Sequence, residues 1–438
     1  MRNTLFATLL REDMCPALGV TEPAAIALAC AKARSLSIEK PEQILVRVNS
    51  GIYKNAFTCG IPHTEKVGND YAAALGCLAG DADKGLLVLD GIKEESIKES
   101  ERMIAEGRVR IEIASFDSEL FINAQVRTAH DICEVEIRHS HTNICYLCRN
   151  GEVLLDKREA VYAAQEMEAS IQAYRLSDFF EFASQANAHE LMFLQDAFTI
   201  NENLADAAFS SERCSITQTL LKQNAGRSFE QDSERAAVLL TAAAAEARVL
   251  GLDLPAMSIT GSGNHGIIST LPLYAIAKTE DRTQVELLRA TALSCLITMY
   301  IKQYSGKLSA FCGCAVAAGT GMACALAMLR GGEFEQVENA LYNMANSITG
   351  MICQGGNHGC VMKIISAVRT GISAAELGLA GARIEWFHGI GGINAEQTMR
   401  NIGYIADPGM VETEKAILDI ISQKSTQIQE VIREKAGI

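Results

Sequence analysis

The sequence has no cluster of basic residues. Its 438 residues contain 39 lysines and arginines against 53 aspartates and glutamates, a formal net charge of -14. Because a negative surface repels nucleic acid and anionic membranes, neither is expected as a partner. A small-molecule ligand fits the composition better.

Nucleotide-binding and export signals are also missing. The Gly-x-Gly patterns do not stand between a first strand and its helix, which argues against a P-loop or a dinucleotide site. Charges interrupt the first residues before any long apolar core, so a leader peptide is not expected. The 14 cysteines are scattered through apolar segments of a chain too long to need disulfides. These features predict a protein of the reducing cytoplasm.

Long uncharged runs are rare. Residues 308–329 form a run of 22 residues without a charge, which meets the length criterion for a membrane span. The run is rich in alanine, glycine, cysteine and serine, and small residues at that density favour close helix packing inside a protein. We therefore expect a buried core helix.

Hydrophobic periodicity predicts an α+β fold in two parts. Alternation predicts strands at 44–48, 109–113, 133–137 and 143–147, and helical patterns cover 69–79, 92–106 and 233–250. The expected domains are 1–157, an α/β part with a mixed sheet and an N-terminal helical segment that reaches the active site, and 158–438, an all-helical catalytic part. In the N-terminal segment, Thr21 is expected to cap a helix that restarts after a break near Pro16.

Cys353 and Cys360 are separated by the glycine-rich stretch QGGNHG. Such a stretch is typical of a loop folded around a bound group such as a metal centre, because glycine allows backbone conformations that other residues resist. Two buried free thiols are the simpler reading. A zinc site with His358 as fourth ligand is a third, although the usual paired spacing is missing.

Cys312 and Cys314 flank Gly313 at the start of the small-residue helix. The positive end of a helix favours the thiolate, which is the form that binds metal. Either cysteine could join Cys353 and Cys360, and three such ligands would leave one iron of a cubane open to substrate. Sequence spacing does not choose between them.

Cys145 and Cys148 have the spacing of a redox pair but lie in a β-rich stretch. A strand points residues three apart to opposite faces. We interpret them as ordinary strand cysteines.

Polar groups gather at a chain reversal at 261–266, with sequence GSGNHG. Backbone amides, the Ser262 hydroxyl and the Asn264 carboxamide could hold a carboxylate or an amino-acid backbone there. A purely structural turn is the alternative. His141-Thr-Asn143 and Lys54-Asn55 are weaker clusters of the same kind.

With these residues in view, the chain resembles the L-cysteine desulfidase family, itself similar in its catalytic part to the iron-sulfur L-serine dehydratases. The likeness covers nearly the whole chain and is carried by PALGVTEP at 16–23, Lys54-Asn55, AAALG at 72–76, HTNI at 141–144, MSITGSGN at 257–264, LSAFC at 308–312, and GMIC at 350–353 through Cys360.

The resemblance implies a 4Fe-4S cluster held by Cys312, Cys353 and Cys360. Cys312 is preferred over Cys314 because the family places its cysteine directly after Leu-Ser-Ala-x. The implied reaction splits L-cysteine into sulfide, ammonia and pyruvate without pyridoxal phosphate, while a base removes the α-proton. The residues expected to bind substrate are Ser262, Gly263, Asn264, His141, Asn143 and Asn55.

The chain departs from the family pattern at one position. The family typically reads Gly-Cys-Thr-Glu-Pro, and its cysteine is the usual candidate for the base, but Val20 stands there in this sequence. Cys15 and Glu22 are the remaining candidates for the base. Two alternatives stay open: a dehydratase acting on L-serine or a related β-substituted amino acid, and a cluster-binding sensor without catalysis. A homodimer is also expected as possible.

Overall fold

The structure is a computed structural model that describes residues 2–159, 170–227 and 232–436, with side chains described up to 424. Its strands are β1 (Cys15–Leu18), β2 (Gln43–Asn49), β3 (Val109–Ser115), β4 (Phe121–Arg127), β5 (Ile132–Arg138), β6 (Ile144–Arg149), β7 (Glu152–Asp156) and β8 (Pro255–Ser258).

The rest of the described chain consists of helices and the loops that connect them. The α-helices are Arg2–Asp13, Thr21–Ser35, Ser50–Ala56, Asn69–Ala79, Glu94–Ala105, Leu176–Gln185, Ala188–Leu191, Gln195–Phe209, Ser215–Gln223, Ser233–Val249, Gly263–Thr279, Gln284–Ser305, Gly319–Leu329, Phe334–Ile348, Gly359–Leu379, Ala395–Ala406 and Val411–Ala436. Short 3₁₀ turns cover Ala82–Leu87, Ser170–Ala173 and Met192–Leu194, and a π-helical turn covers Cys314–Ala318.

The N-terminal part is built on a mixed six-stranded sheet with the order β3-β2-β4-β5-β6-β7. Among the strand pairs of the described residues, β2–β3 is parallel and the other pairs of this sheet are antiparallel. On β2, Ile44, Val46 and Val48 are fully buried and pack in one core with helix Thr21–Ser35. This alternation is the period of a half-buried strand, and it explains why the predicted sheet forms.

The predicted α+β fold is confirmed, with a sheet in the N-terminal region and helices in the C-terminal part. The four predicted strands and the helices predicted at 69–79, 92–106 and 233–250 are present within a few residues. Strands β1, β4, β7 and β8 were not predicted. In β4 the inner positions carry Asn123 and Ala124, which are weak strand formers.

The N-terminal segment differs from expectation in two details. The break near Pro16 is strand β1, which pairs antiparallel with β8 far along the chain. The prediction that Thr21 caps the next helix is wrong: Val20 holds the N-cap position, and Thr21 Oγ1 donates to Glu22 Oε2 inside the first turn at 3.0 Å. A threonine one residue inside the helix cannot cap it, because the capping side chain must precede the first turn.

The first helix, Arg2–Asp13, packs in the helical part of the molecule and not against the six-stranded sheet. Phe6, Leu9 and Leu10 are buried in the core formed by the C-terminal helices. The predicted division at 157/158 adjoins residues 160–169, which lie outside the described residues, and it stays a prediction.

The uncharged run at 308–329 is broken in the structure. A segment without regular structure leads into the π-helical turn Cys314–Ala318, and the buried helix Gly319–Leu329 follows. In the described part of the chain, none of the helices combines the length and the apolarity that crossing a membrane requires.

Candidate active site

Two cysteine-bearing segments lie side by side. Phe311 and Ile352 form an antiparallel bridge, and the Cys312 amide donates to Met351 O at 2.8 Å. The Cys353 amide donates back to Ala310 O at 2.5 Å. Cys312 and Cys353 therefore belong to neighbouring stretches of backbone, although 41 positions separate them in sequence.

Cys360 follows Cys353 by seven residues and lies in the first turn of helix Gly359–Leu379. Its thiol donates to Gly355 O at 3.2 Å, which folds the loop back over the helix start. Gly355 has φ +95°, a left-handed conformation that favours glycine. The loop thus needs the glycine that the sequence provides.

The cysteines of these segments differ in proton affinity. A hydrogen bond from Cys314 lowers the pKa of Cys312 to about 6, with help from the positive charge of Lys363 and from backbone amides. Donating that bond, together with burial, raises the pKa of Cys314. Burial raises the pKa of Cys360 to about 12, and the nearby Cys312 and Cys353 thiols act in the same direction. The thiolate is therefore favoured at Cys312 over Cys314 and Cys360.

The described residues hold no group of three or more His, Cys, Asp or Glu side chains arranged to bind a metal ion. The ligand set therefore stays a prediction. Its donor chemistry fits an iron-sulfur cluster, because buried thiols from adjoining segments influence one another and thiolates are the ligands that such clusters use. His358 pairs instead with the Glu246 carboxylate, Nε2 to Oε1 at 2.5 Å.

The N-terminal motif reaches the cysteine loops through Asn55. Asn55 Nδ2 donates to Glu22 Oε1 at 2.8 Å, and the Cys353 thiol lies 3.7 Å from Asn55 Oδ1. Glu22 is 6 % exposed. Three residues predicted separately thus form one connected group.

Cys59 stands beside Val20 and was missed from sequence. Its thiol donates to the carbonyls of Asn55 at 2.7 Å and Gly356 at 2.8 Å. A β-carbon on Gly356 would lie 2.7 Å from Cys59 Sγ and 3.1 Å from Val20 Cγ1. Burial raises the pKa of Cys59. The signal in the sequence that could have indicated Cys59 is its position four residues after Asn55.

Cys15 and His141 line a cavity of about 190 Å³ together with Gly261 and Lys307. The Cys15 Sγ atom lies 3.2 Å from Ser258 Oγ across the β1–β8 pair, and burial raises the pKa of Cys15. Burial lowers the pKa of His141 to about 4, so this imidazole is neutral at pH 7. The buried His141 Nε2 has no hydrogen-bond partner among the described residues.

The turn at 261–264 leads into helix Gly263–Thr279, and Ser262 holds the N-cap position. The buried Asn264 side chain accepts a hydrogen bond from Arg248. Asn143 does not join the site: its side chain donates to Arg138 O and closes the turn between β5 and β6. Strand β6 holds both Cys145 and Cys148 as free thiols, as interpreted from the sequence.

Arg248 is the second residue of this region that sequence reasoning missed. It lies in the alanine-rich helix Ser233–Val249 and is 3 % exposed. Its Nη1 donates to Asn264 Oδ1 at 3.0 Å. Glu246 and Arg248 interrupt an alanine-rich run, and this was the signal that could have found Arg248, since charges are seldom buried without a reason.

Comparison with known proteins identifies the family. Residues 83–419 match the family described as serine dehydratase alpha chain. The chain belongs to the serine dehydratase alpha chain family. The matched range contains both cysteine segments and the 261–264 turn, but it begins after Val20 and Asn55.

Relatives of this serine dehydratase alpha chain family member match nearly its full length. A UPF0597 protein of Clostridium botulinum strain Okra is 39 % identical over 97 % of the chain and 100 % of its own length. Those of Parabacteroides distasonis and Caldanaerobacter subterraneus are 36 % and 34 % identical, over 97 % and 96 % of the chain and 99 % and 98 % of their own lengths. These names specify neither L-cysteine nor a cluster, so both belong to the proposal below.

Proposed function

We propose that this protein is an iron-sulfur-dependent lyase that cleaves L-cysteine to sulfide, ammonia and pyruvate. The observation that carries the proposal is the bridge between the segments of Cys312 and Cys353, with Asn55 and Glu22 connected to the same group. Membership in the serine dehydratase alpha chain family supports a lyase that removes a β-substituent from a small amino acid.

In this proposal, Cys312, Cys353 and Cys360 hold the cluster. A 4Fe-4S cluster with three protein ligands supplies an open iron, a Lewis acid for the thiol that leaves the β-carbon. The low pKa of Cys312 favours its role as ligand over that of Cys314, whose thiol donates to it. Cys314 would then act by stabilising the Cys312 thiolate.

We assign removal of the α-proton to Glu22. Valine has no group that accepts a proton, so Val20 cannot act as the base. Glu22 is buried and reaches the Cys353 loop through Asn55, whereas Cys15 carries a protonated thiol paired with Ser258. Loss of the α-proton and of the thiol leaves aminoacrylate, which takes up water to give pyruvate and ammonia.

Dehydration of L-serine is the second candidate. The family match favours it directly, since the family is described by that substrate. The same residues would act on a hydroxyl in place of a thiol, and the preference of iron for sulfur favours cysteine only modestly.

The test is a pair of assays on protein purified without oxygen. We expect sulfide and pyruvate in equal amounts from L-cysteine, and a lower kcat/KM for pyruvate from L-serine. A higher kcat/KM on L-serine would make the protein a dehydratase. If the protein carries a cluster but turns over neither amino acid, a sensor without catalysis replaces the lyase.

A further inference from the structure

The buried Arg248 lies against the start of helix Gly263–Thr279, and two of its three guanidinium nitrogens make no hydrogen bond to the described residues. Arg248 Nη1 donates to Asn264, whereas Nε and Nη2 are buried without a hydrogen-bond partner among the described residues. In the described ranges, no carboxylate is hydrogen-bonded to this side chain. Arginine stays protonated at any pH at which proteins function, so a buried positive charge is left unpaired.

The two unused donors are chemically a pair. Nε–H and one N–H of Nη2 lie on the same edge of the planar guanidinium and point in parallel, which is the fork that binds both oxygens of a carboxylate. Nη1 belongs to the other edge, and Asn264 holds it. The protein thus fixes the guanidinium by one edge, and the buried carboxylate-binding edge has no hydrogen-bond partner among the described residues.

Gly263 makes room for this arrangement. A β-carbon at Gly263 would lie 2.4 Å from Arg248 Nε and 3.0 Å from the Ala256 β-carbon. Any side chain at this position would therefore displace the guanidinium. Gly263 was predicted from the sequence as a substrate contact. Its lack of a side chain is explained by the space that the Arg248 guanidinium occupies.

The surroundings of Arg248 attract an anion. The N-terminus of a 17-residue helix adds partial positive charge at Gly263. Burial lowers the pKa of His141 and raises that of Cys59, and the charge of Arg248 acts on both groups in the lowering direction. The guanidinium therefore lies within electrostatic reach of both residues. Glu22 and Cys353 act on the pKa of the same Cys59, so we expect an anion bound here to face the group formed by Glu22, Asn55 and Cys353.

We propose that Arg248 binds the α-carboxylate of a small amino acid through its Nε and Nη2 edge. Asn264 holds the guanidinium in place, and the amide groups of the first helical turn face the same anion. The inference rests on the proposed function, because it names the group that L-cysteine and L-serine share. A carboxylate site at Arg248 selects small amino acids as a class. The residues of the cysteine loops would distinguish a thiol from a hydroxyl on the β-carbon.

The test measures binding and does not depend on turnover. L-alanine has the carboxylate and the amino group but no leaving group, and L-alaninamide replaces the carboxylate by a neutral amide of the same shape. Isothermal calorimetry on the full chain compares both ligands for the wild type, Arg248→Gln, Arg248→Lys and Gly263→Ala. Arg289→Gln is the matched control, since Arg289 also projects from a helix and donates through Nε and Nη2, to Ala186 O.

We expect the wild type and Arg289→Gln to bind L-alanine at least tenfold more tightly than L-alaninamide. Arg248→Gln and Gly263→Ala should weaken L-alanine binding by about 10- to 100-fold and abolish the preference, because a charge-assisted pair is lost. The affinity of Arg248→Lys for L-alanine should lie between those of the wild type and Arg248→Gln, because lysine keeps the charge but lacks the two parallel donors. Circular dichroism shows which variants fold, and Gly263→Ala or Arg248→Lys replaces Arg248→Gln if that variant does not.

Equal binding of the two ligands by the wild type, no binding of L-alanine, or an unchanged preference in a folded Arg248→Gln variant would overturn the assignment. If Arg248 controls the preference while neither L-cysteine nor L-serine is turned over, the carboxylate site stands and the proposed function fails. If turnover occurs with the same KM in Arg248→Gln, the proposed function stands and the carboxylate site fails.

Discussion

At the scale of single residues, the site depends on side chains that sit close to Val20. Glu22 reaches Asn55, Asn55 reaches Cys353, and Cys59 fills the space next to Val20. A buried carboxylate connected to the cysteine loop is better placed for proton transfer than a thiol bonded to Ser258.

Glu22→Gln tests the assignment of the base. The variant keeps the shape and loses the proton acceptor, so we expect kcat to fall by about 100-fold or more. Cys15→Ser should keep kcat within about threefold of the wild type, since the thiol only pairs with Ser258. Steady-state assays of sulfide release measure both, with iron content checked in each variant. The opposite pattern, an active Glu22→Gln beside an inactive Cys15→Ser, would transfer the role to Cys15.

The buried His141 predicts how stability depends on pH. Burial lowers its folded pKa to about 4 from 6.5, so the unfolded chain binds more protons between these values. Stability from this group is present above pH 6.5 and is lost as pH falls through that window, by about 1.5 kcal/mol between pH 6.5 and 5. Denaturant unfolding at both pH values should show a smaller loss for His141→Asn than for the wild type. Equal losses would mean that this imidazole is not buried in its neutral form.

The residue scale also shows the limits of sequence reasoning. Cysteine spacing and glycine content singled out Cys353 and Cys360, because those signals lie within one loop. Cys59 and Arg248 enter the region from other segments. Their neighbours are set by packing between distant elements, which local sequence does not encode.

At the scale of elements, a buried ion pair connects the last helix to the segment that leads to Cys312. Lys54, 1 % exposed, donates to Glu414 Oε2 at 2.6 Å and to Ser309 O at 3.1 Å. Glu414 lies in helix Val411–Ala436, so one lysine connects that helix, helix Ser50–Ala56 and the segment leading to Cys312.

Removing one partner of this pair should destabilise the protein strongly. Glu414→Ala leaves the Lys54 ammonium buried and unpaired, which costs about 3–5 kcal/mol of unfolding free energy. Glu412→Ala is the matched control two residues earlier, where an exposed pair with Lys415 contributes less than about 0.5 kcal/mol. Denaturant unfolding measures both variants. Equal stabilities would show that Lys54 finds another partner when Glu414 is absent.

Elements with a strong period were predictable, and elements defined by distant pairing were not. Alternating apolar residues were enough to predict β2, β3, β5 and β6. Strand β1 is only four residues long and exists because it pairs with β8, which is more than 230 positions away. Local propensity carries no information about such a partner.

At the scale of the whole molecule, the site forms where the two hydrophobic cores meet. Leu308 packs in the sheet-side core, whereas Phe311 packs in the helical core only three residues later. The first helix and β1 also cross from one side to the other. Composition and periodicity predicted the two parts, but this crossing, which brings Glu22 and Asn55 to the cysteines, is a property of the complete fold.

The iron content of single cysteine variants tests the central claim most directly. Purified without oxygen, the wild type and Cys314→Ser should each contain about four irons per chain and absorb broadly near roughly 400 nm. Cys312→Ser, Cys353→Ser and Cys360→Ser should each lose most of the iron, whereas Cys145→Ser, in strand β6, should lose none. A wild-type protein that folds but contains zinc or no metal, or equal iron in all five variants, would contradict the account.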